Sequence, residues 1–220
     1  MSTMSALWAA LWVTSWLGLV LLAAELVHYW FPDAKEWSRK VVHIGAGQVI
    51  LIAYVLRVPT SWGIIAALIA AGLTLLSYRM PLLESISSVG RQSWGTFFYA
   101  VSIGSLMALF WDKLPELAVL GVLIMAWGDG LAALVGINFG HHPFSIAGAT
   151  KSWEGTIAMF LISSLVAALS LAPLAPLGLW WVAPVVGLSA TVLELVAWRG
   201  LDNLTVPIGS ALIAYALLLV

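Results

Sequence analysis

PELAVLGVLIMAWGDGLAALVG, residues 115–136, opens on Pro115-Glu116 and then runs without a charged residue except Asp129. At 1.5 Å of rise per residue, an apolar run of this length crosses a hydrocarbon layer about 30 Å thick. A carboxylate within it is costly, on the order of 3 kcal/mol at the centre of a membrane helix, so a partner must offset it. Gly128 and Gly130 flank Asp129, letting another backbone or a ligand come close and weakening the helix locally. Such a site suits a cation or a metal-bound phosphate; a helix-to-helix hydrogen bond or salt bridge is the competing reading.

The rest of the chain has the same character. Of 220 residues, 62% are hydrophobic and 9% charged, with mean hydropathy +1.04, too little polar surface for a water-soluble globule. Apolar length and breaker residues predict a single all-α membrane domain, 1–220, with about eight transmembrane helices near 6–30, 38–56, 61–78, 93–111, 115–136, 153–172, 177–198 and 204–220. The first run is too long, and lacks the basic start, for a cleavable signal peptide. Many of the 13 Trp sit near the ends of these runs, as in the aromatic belts at headgroup level. Pro32, Pro59, Pro81, Pro115 and Pro143 fall in the breaks or at helix starts, where a missing N–H matters least. Leu171-Ala172-Pro173-Leu174-Ala175-Pro176 reads as an uncharged turn. The absence of cysteine excludes disulfides, thiolate metal sites and cysteine nucleophiles. A net charge of −1 without a basic stripe offers nothing to nucleic acid.

Basic residues in short loops stay on the cytoplasmic side. The breaks after spans one, three, five and seven carry Lys35, Arg39, Lys40, Arg79, Arg91, Lys151 and Arg199, against Arg57 and Lys113 in the others, so both termini are expected outside the cytoplasm. That orientation gathers Glu25, His28, Glu36, His43, Asp129, Glu154, Glu194, Asp202 and Asn203 at or near the cytoplasmic face, where one polar cluster is expected. Asp112, Lys113 and Glu116 fall on the other face and read as a solvated turn.

Three further segments carry chemistry. In Glu36-Trp37-Ser38-Arg39-Lys40-Val41-Val42-His43, helical spacing puts Glu36, Lys40 and His43 on one face. A snorkelling anchor explains Arg39 and Lys40 but not a histidine one turn deeper. Residues 136–153 form the longest polar segment, leading into Gly148-Ala149-Thr150-Lys151-Ser152-Trp153-Glu154-Gly155. Thr150 or Ser152 is placed to cap the next helix, and a lysine beside free N–H groups at a helix start favours an anion. An ordinary capped loop fits the same residues, and the spacing is not that of a P-loop. His141 and His142 lack helical metal spacing and read as loop residues. Arg199-Gly200-Leu201-Asp202-Asn203-Leu204-Thr205-Val206-Pro207 is ordinary turn chemistry before a proline-started helix. Its place on the face of Asp129 and Lys151 makes it a candidate as well, since oxygen ligands for magnesium converge from separate segments.

Taken together, Glu36-x-x-Arg39-Lys40-x-x-His43, Trp127-Gly128-Asp129-Gly130, Lys151-Ser152-Trp153-Glu154-Gly155 and Asp202-Asn203-Leu204-Thr205-Val206-Pro207 resemble the CTP-dependent polyprenol kinases, most of all their phytol kinase branch. The likeness covers nearly the whole chain. It implies transfer of the γ-phosphate of CTP to an isoprenoid alcohol with Mg2+, in a bacterial cell membrane or a thylakoid membrane. It also implies roles for the matching residues. Asp129 and Asp202 bind metal or orient the hydroxyl, Lys151, Arg39 and Lys40 neutralise the triphosphate, and His43 joins the catalytic group. Ser152, Glu154, Asn203 and Glu194 complete the nucleotide and substrate contacts.

Two rivals remain. Phosphatidate cytidylyltransferases share a segment like Lys151-Ser152-Trp153-Glu154-Gly155, but nothing in residues 161–220 matches their further basic and Gly-His-Gly-Gly elements. A small transporter would use Asp129, His43 and Glu194 as a proton relay, yet the outward half of every span is nearly uncharged. The charge asymmetry has a direct test: single cysteines at Ser145 and Pro173 should label from opposite sides of the membrane, and labelling from one side would sink the eight-span topology.

Overall fold

Where no water reaches the backbone, each segment must satisfy its own N–H and C=O groups, and an apolar chain of this kind becomes helical. The computed structural model describes residues 3–79, 94–146, 148–174 and 180–219. In chain order these form α1 (Thr3–Trp30), α2 (Lys35–Gly47), α3 (Val49–Val55), α4 (Thr60–Arg79), α5 (Gly95–Phe110), α6 (Pro115–Leu123), a π turn (Ile124–Asp129), α7 (Gly130–Phe139), strands β1 (Pro143–Ile146) and β2 (Ala149–Ser152), α8 (Trp153–Leu171), α9 (Val182–Val196) and α10 (Asp202–Leu218). Among the described residues, each expected apolar run is largely helical. Four helical stretches are each long and apolar enough to cross a membrane: Leu7–Trp30, Thr60–Ser77, Pro115–Phe139 and Trp153–Leu171. Trp30, Trp62, Trp94 and Trp153 are exposed near helix ends. Pro81, Arg91 and the Ala175-Pro176 end of the uncharged turn lie outside the described residues.

The α6–π–α7 segment is the centre of the molecule: 67% of its apolar window is buried, against 6% for Thr60–Ser77. Leu117, Leu120, Ile124 and Met125 are fully enclosed, with Met159 of α8 and Val206 of α10 around them. The peripheral α1 packs on α2 and α3 and is tied there by Trp16 Nε1 donating to Gly45 O at 2.8 Å.

Five details correct the sequence reading. The second span is interrupted at Gln48, whose N–H turns back to Gly45 O at 3.2 Å while its side-chain amide donates to Ile44 O at 3.3 Å. The fifth span contains a π turn where a continuous α-helix was expected. The fold is not purely α, because part of the 136–153 segment is an antiparallel hairpin pairing Phe144 with Lys151 and Ser145 with Thr150. Gly148 turns it at φ +77°, and Phe144 leans on Trp153 at 5.2 Å between ring centroids.

The other two concern proline and the far end of the bundle. Pro207 does not start its helix; α10 begins at Asp202 and carries Pro207 inside it. A helix-interior proline leaves the carbonyl four residues back without its donor, and Ser102 Oγ takes that role at 2.5 Å from Asn203 O. The Asp112–Glu116 region is no mere solvated turn, since Tyr54 donates to Glu116 Oε1 at 2.8 Å, Thr60 pairs with Asp112, and Trp111 Nε1 donates to Val58 O at 2.7 Å.

Close approach of α10 to α6 depends on Gly121, where a Cβ would stand 2.6 Å from Pro207 O and 2.9 Å from Leu106. Gly121→Val should therefore destabilise the bundle by about 1–3 kcal/mol through overpacking, seen as a lower thermal midpoint of the detergent-solubilised protein. An unchanged midpoint would contradict this helix contact.

Candidate active site

Asp129 ends the π turn and is 8% exposed, as is Lys40 of α2. The Lys40 ammonium lies 2.7 Å from Asp129 Oδ2 and also reaches the Asp129 carbonyl at 3.4 Å. One helical turn along α2, His43 Nε2 stands 3.3 Å from the same Oδ2 and 2.9 Å from Met125 O. A π turn shifts its ladder from i−4 to i−5 bonding, and the Met125 carbonyl that takes the His43 bond belongs to that turn. The two glycines beside Asp129 face different neighbours. A Cβ on Gly130 would meet Ile44 of α2 at 2.5 Å, and one on Gly128 would meet Ser163 Oγ of α8 at 2.5 Å. Glycine here brings α2 and α8 against the segment that carries the carboxylate. Tyr99 fixes His43 from a third side, its hydroxyl donating to His43 O at 2.7 Å and its ring edge-on at 4.8 Å.

A second ion pair adjoins the first. Lys151, at the end of the hairpin, pairs with the Glu194 carboxylate and donates to Glu194 O at 2.7 Å. Ser152 caps α8, accepting from Gly155 N–H at 3.2 Å, so hairpin and cap together hold Lys151 beside the start of α8. Asp202, opening α10, lies within electrostatic reach of Asp129, Lys40 and Lys151. Asp129, Lys40, His43, Lys151, Glu194 and Asp202 thus form one cluster drawn from α2, the π turn, β2, α9 and α10.

The other sequence candidates lie at its edges. Arg39 is half-exposed and pairs with Glu36 at 3.4 Å. Glu154 turns to His142, with Nδ1 2.6 Å from Oε1. Asn203 is buried; its amide Nδ2 donates to Gly95 O at 3.0 Å, and its own N–H is capped by Asp202 Oδ1 at 3.0 Å. Sequence reading missed Tyr99, because a tyrosine in an apolar helix carries no signal of its own. It also missed the His142–Glu154 pair, which only the hairpin brings together.

The chain is 49% identical over 214 residues to the phytol kinase of Synechocystis sp., covering 96% of this chain and 92% of that protein. The chain belongs to the phytol kinase family. It is also 30% identical to a probable chloroplastic phytol kinase of Triticum aestivum, over 83% of this chain and 68% of that one. A chloroplastic farnesol kinase of Arabidopsis thaliana is 29% identical over 57% of this chain and 44% of its own length. No family model matches the chain, and no solved structure matches it.

A kinase of this family needs a phosphate donor and, by ordinary phosphoryl-transfer chemistry, a divalent cation. Among the described residues no three His, Asp or Glu side chains converge as a preformed metal cage. Magnesium does not ask for one, since it usually keeps several waters and binds through one or two carboxylates plus substrate phosphates. The donor set fits that habit. Three carboxylates, Asp129, Glu194 and Asp202, face two ammonium groups, Lys40 and Lys151, leaving negative charge in excess, while Lys40 and His43 both engage Asp129 through Oδ2.

Removing one partner of a buried ion pair strands the other charge. Lys40→Met should cost about 3–5 kcal/mol, and adding Asp129→Asn should recover most of it. Thermal midpoints of the two variants in detergent check this; a double variant no more stable than Lys40→Met would show that the pair does not carry the contact.

Proposed function

We propose that this chain phosphorylates an isoprenoid alcohol of the phytol type, with CTP as donor and Mg2+ as the charge-neutralising ion. The observation that supports this most is the buried Lys40–Asp129–His43 group standing beside Lys151 and Asp202 in a member of the phytol kinase family. The ion would be held by Asp129 and Asp202 and would supply charge neutralisation on the phosphate oxygens. Lys40 and Lys151 exchange their resting carboxylate partners for the β- and γ-phosphates, with Arg39 at the outer edge. Ser152, Glu154 and the start of α8 border the same phosphates, and Glu194 keeps Lys151 positioned when the donor is absent.

In the transfer, the alcohol oxygen forms a bond to the γ-phosphorus while the bond from that phosphorus to the β-bridging oxygen breaks. CDP leaves and phytyl phosphate remains. Nε2 of His43 faces two acceptors, Met125 O and Asp129 Oδ2, which assigns its hydrogen to Nε2 and leaves Nδ1 with a lone pair. That nitrogen takes the hydroxyl proton, and Asp129 holds the ring in this tautomer, an arrangement familiar from other carboxylate–histidine pairs.

We take all eight apolar helical segments as membrane crossings, with the cluster at the cytoplasmic face of a bacterial cell or thylakoid membrane. In support, the Tyr54–Glu116 contact lies at the start of the central segment and the Lys40–Asp129 pair in its second half. The shorter helices, such as Val182–Val196, are accommodated by local thinning of the bilayer.

With γ-labelled CTP, Mg2+ and phytol, label should move into an organic-soluble monophosphate, while α-labelled CTP leaves the lipid phase unlabelled. Recovery of α-label in lipid with release of pyrophosphate would mark a cytidylyltransferase instead. Asp129→Asn should lose about 100- to 1,000-fold in turnover, the scale of one preorganised electrostatic group, and Lys151→Ala should chiefly raise KM for CTP; wild-type turnover in the Asp129 variant would overturn its role.

A further inference from the structure

Beside His43 lies a cavity of about 140 Å3 lined by residues of α1, α2 and the first turns of α5 and α10. Its walls are divided by chemistry. Leu21 and Ala24 of α1 and Val42 and Ala46 of α2 give it an apolar wall, Ser38, His43, Tyr99 and Asn203 bring polar atoms into it, and Glu25, His28, Lys35 and Arg39 line it as well. Two of these are buried without a hydrogen-bond partner, Ser38 Oγ and Asn203 Oδ1. The orientation of the Asn203 amide is fixed, because Nδ2 must face the Gly95 carbonyl it donates to at 3.0 Å. Oδ1 is therefore an acceptor awaiting a donor, on a residue only 6% exposed. Orphaned buried polar atoms are expensive and call for an explanation.

We infer that this cavity receives the hydroxyl end of the isoprenoid alcohol, held by Asn203 Oδ1 and Ser38 Oγ. An alcohol offers one donor and one acceptor, so a single hydroxyl satisfies both orphans by donating to Asn203 Oδ1 and accepting from Ser38 Oγ. A cavity of about 140 Å3 has room for a hydroxyl and the first carbons behind it. The remaining chain has a path along α1, whose Leu11, Leu19, Leu22 and Leu26 are exposed, as suits a tail that stays in lipid.

Asp202 and Asn203 then divide two substrates between consecutive residues at the start of α10. Asp202 faces Asp129 and the lysines, and Asn203 faces the acceptor cavity. His43 stands between them, one ring nitrogen on Asp129 and the ring lining the cavity. Before transfer the O–H rests on Asn203 Oδ1, which positions it but cannot take the proton; as the bond to the γ-phosphorus forms, the O–H turns from Asn203 to His43 Nδ1, which takes the proton. The assignment rests on the alcohol-kinase reading and moves Asn203 from the nucleotide to the acceptor.

The test has two arms on the purified full-length protein. In the first, a short isoprenoid alcohol with a diazirine next to its hydroxyl is photolysed with the protein, with and without excess phytol, and the labelled peptides are mapped. Labelling within residues 21–46, at Thr96 or Tyr99, or at Asn203 that phytol suppresses is expected; labelling confined to other positions, or labelling that phytol does not suppress, overturns the site. This arm needs no turnover, so it judges the cavity even if no alcohol is phosphorylated, an outcome that would remove only the kinase reading. In the second, Asn203→Ala and the cavity-filling Ala24→Phe should each raise KM for phytol about ten-fold and leave KM for CTP within about two-fold. A raised CTP KM with an unchanged phytol KM would overturn the assignment. Ala24→Phe leaves the Asn203–Gly95 bond intact and decides the matter if Asn203→Ala does not fold.

Discussion

A carboxylate enclosed in an apolar bundle has to be neutralised where it stands, and the disposition of Asp129 governs much of what surrounds it. Lys40 meets it at 2.7 Å, which requires α2 to lie directly against the π turn, and Gly130 permits that approach. Once α2 is docked, His43 follows one turn later, Tyr99 locks its backbone carbonyl, and the interruption at Gln48 lets α3 take its own course along α6. The pair is not a large source of net stability, because desolvation cancels much of the Coulomb attraction. It acts instead as a constraint, since any arrangement that separates the two charges leaves one of them buried alone.

The cluster is also balanced for a visitor. At rest Lys40 and Lys151 are each held by a carboxylate, so the site avoids an exposed block of positive charge at the membrane surface. In the proposed reaction, a triphosphate carrying its own divalent ion would bring the charges needed to redistribute these partners. Phosphoryl transfer asks little of a protein beyond position and charge, and a ring of exchangeable ion pairs supplies both.

How much of this was legible in the sequence depends on the range of each interaction. Asp129 announced itself because one charge in an apolar run contradicts its surroundings, and Lys40 with His43 was visible because helical spacing is local. Ser152 as a cap was legible for the same reason. The π turn, the break at Gln48 and the hairpin were not, since each is imposed by packing between segments rather than by local preference. Tyr54 and Glu116 illustrate the limit: they are far apart in the chain, and nothing near either one names the other. Pro207 misled because proline favours helix starts, whereas here the hydroxyl of Ser102, on another helix, serves the carbonyl it orphans.

The second and fifth apolar segments run antiparallel and are joined twice, by Lys40 to Asp129 and by Tyr54 to Glu116. Two fasteners spaced along the same pair of segments resist axial sliding, because a slip of one residue would strain both at once. The pair behaves as a strut, to whose outer side α1 is fastened through Trp16 and Gly45.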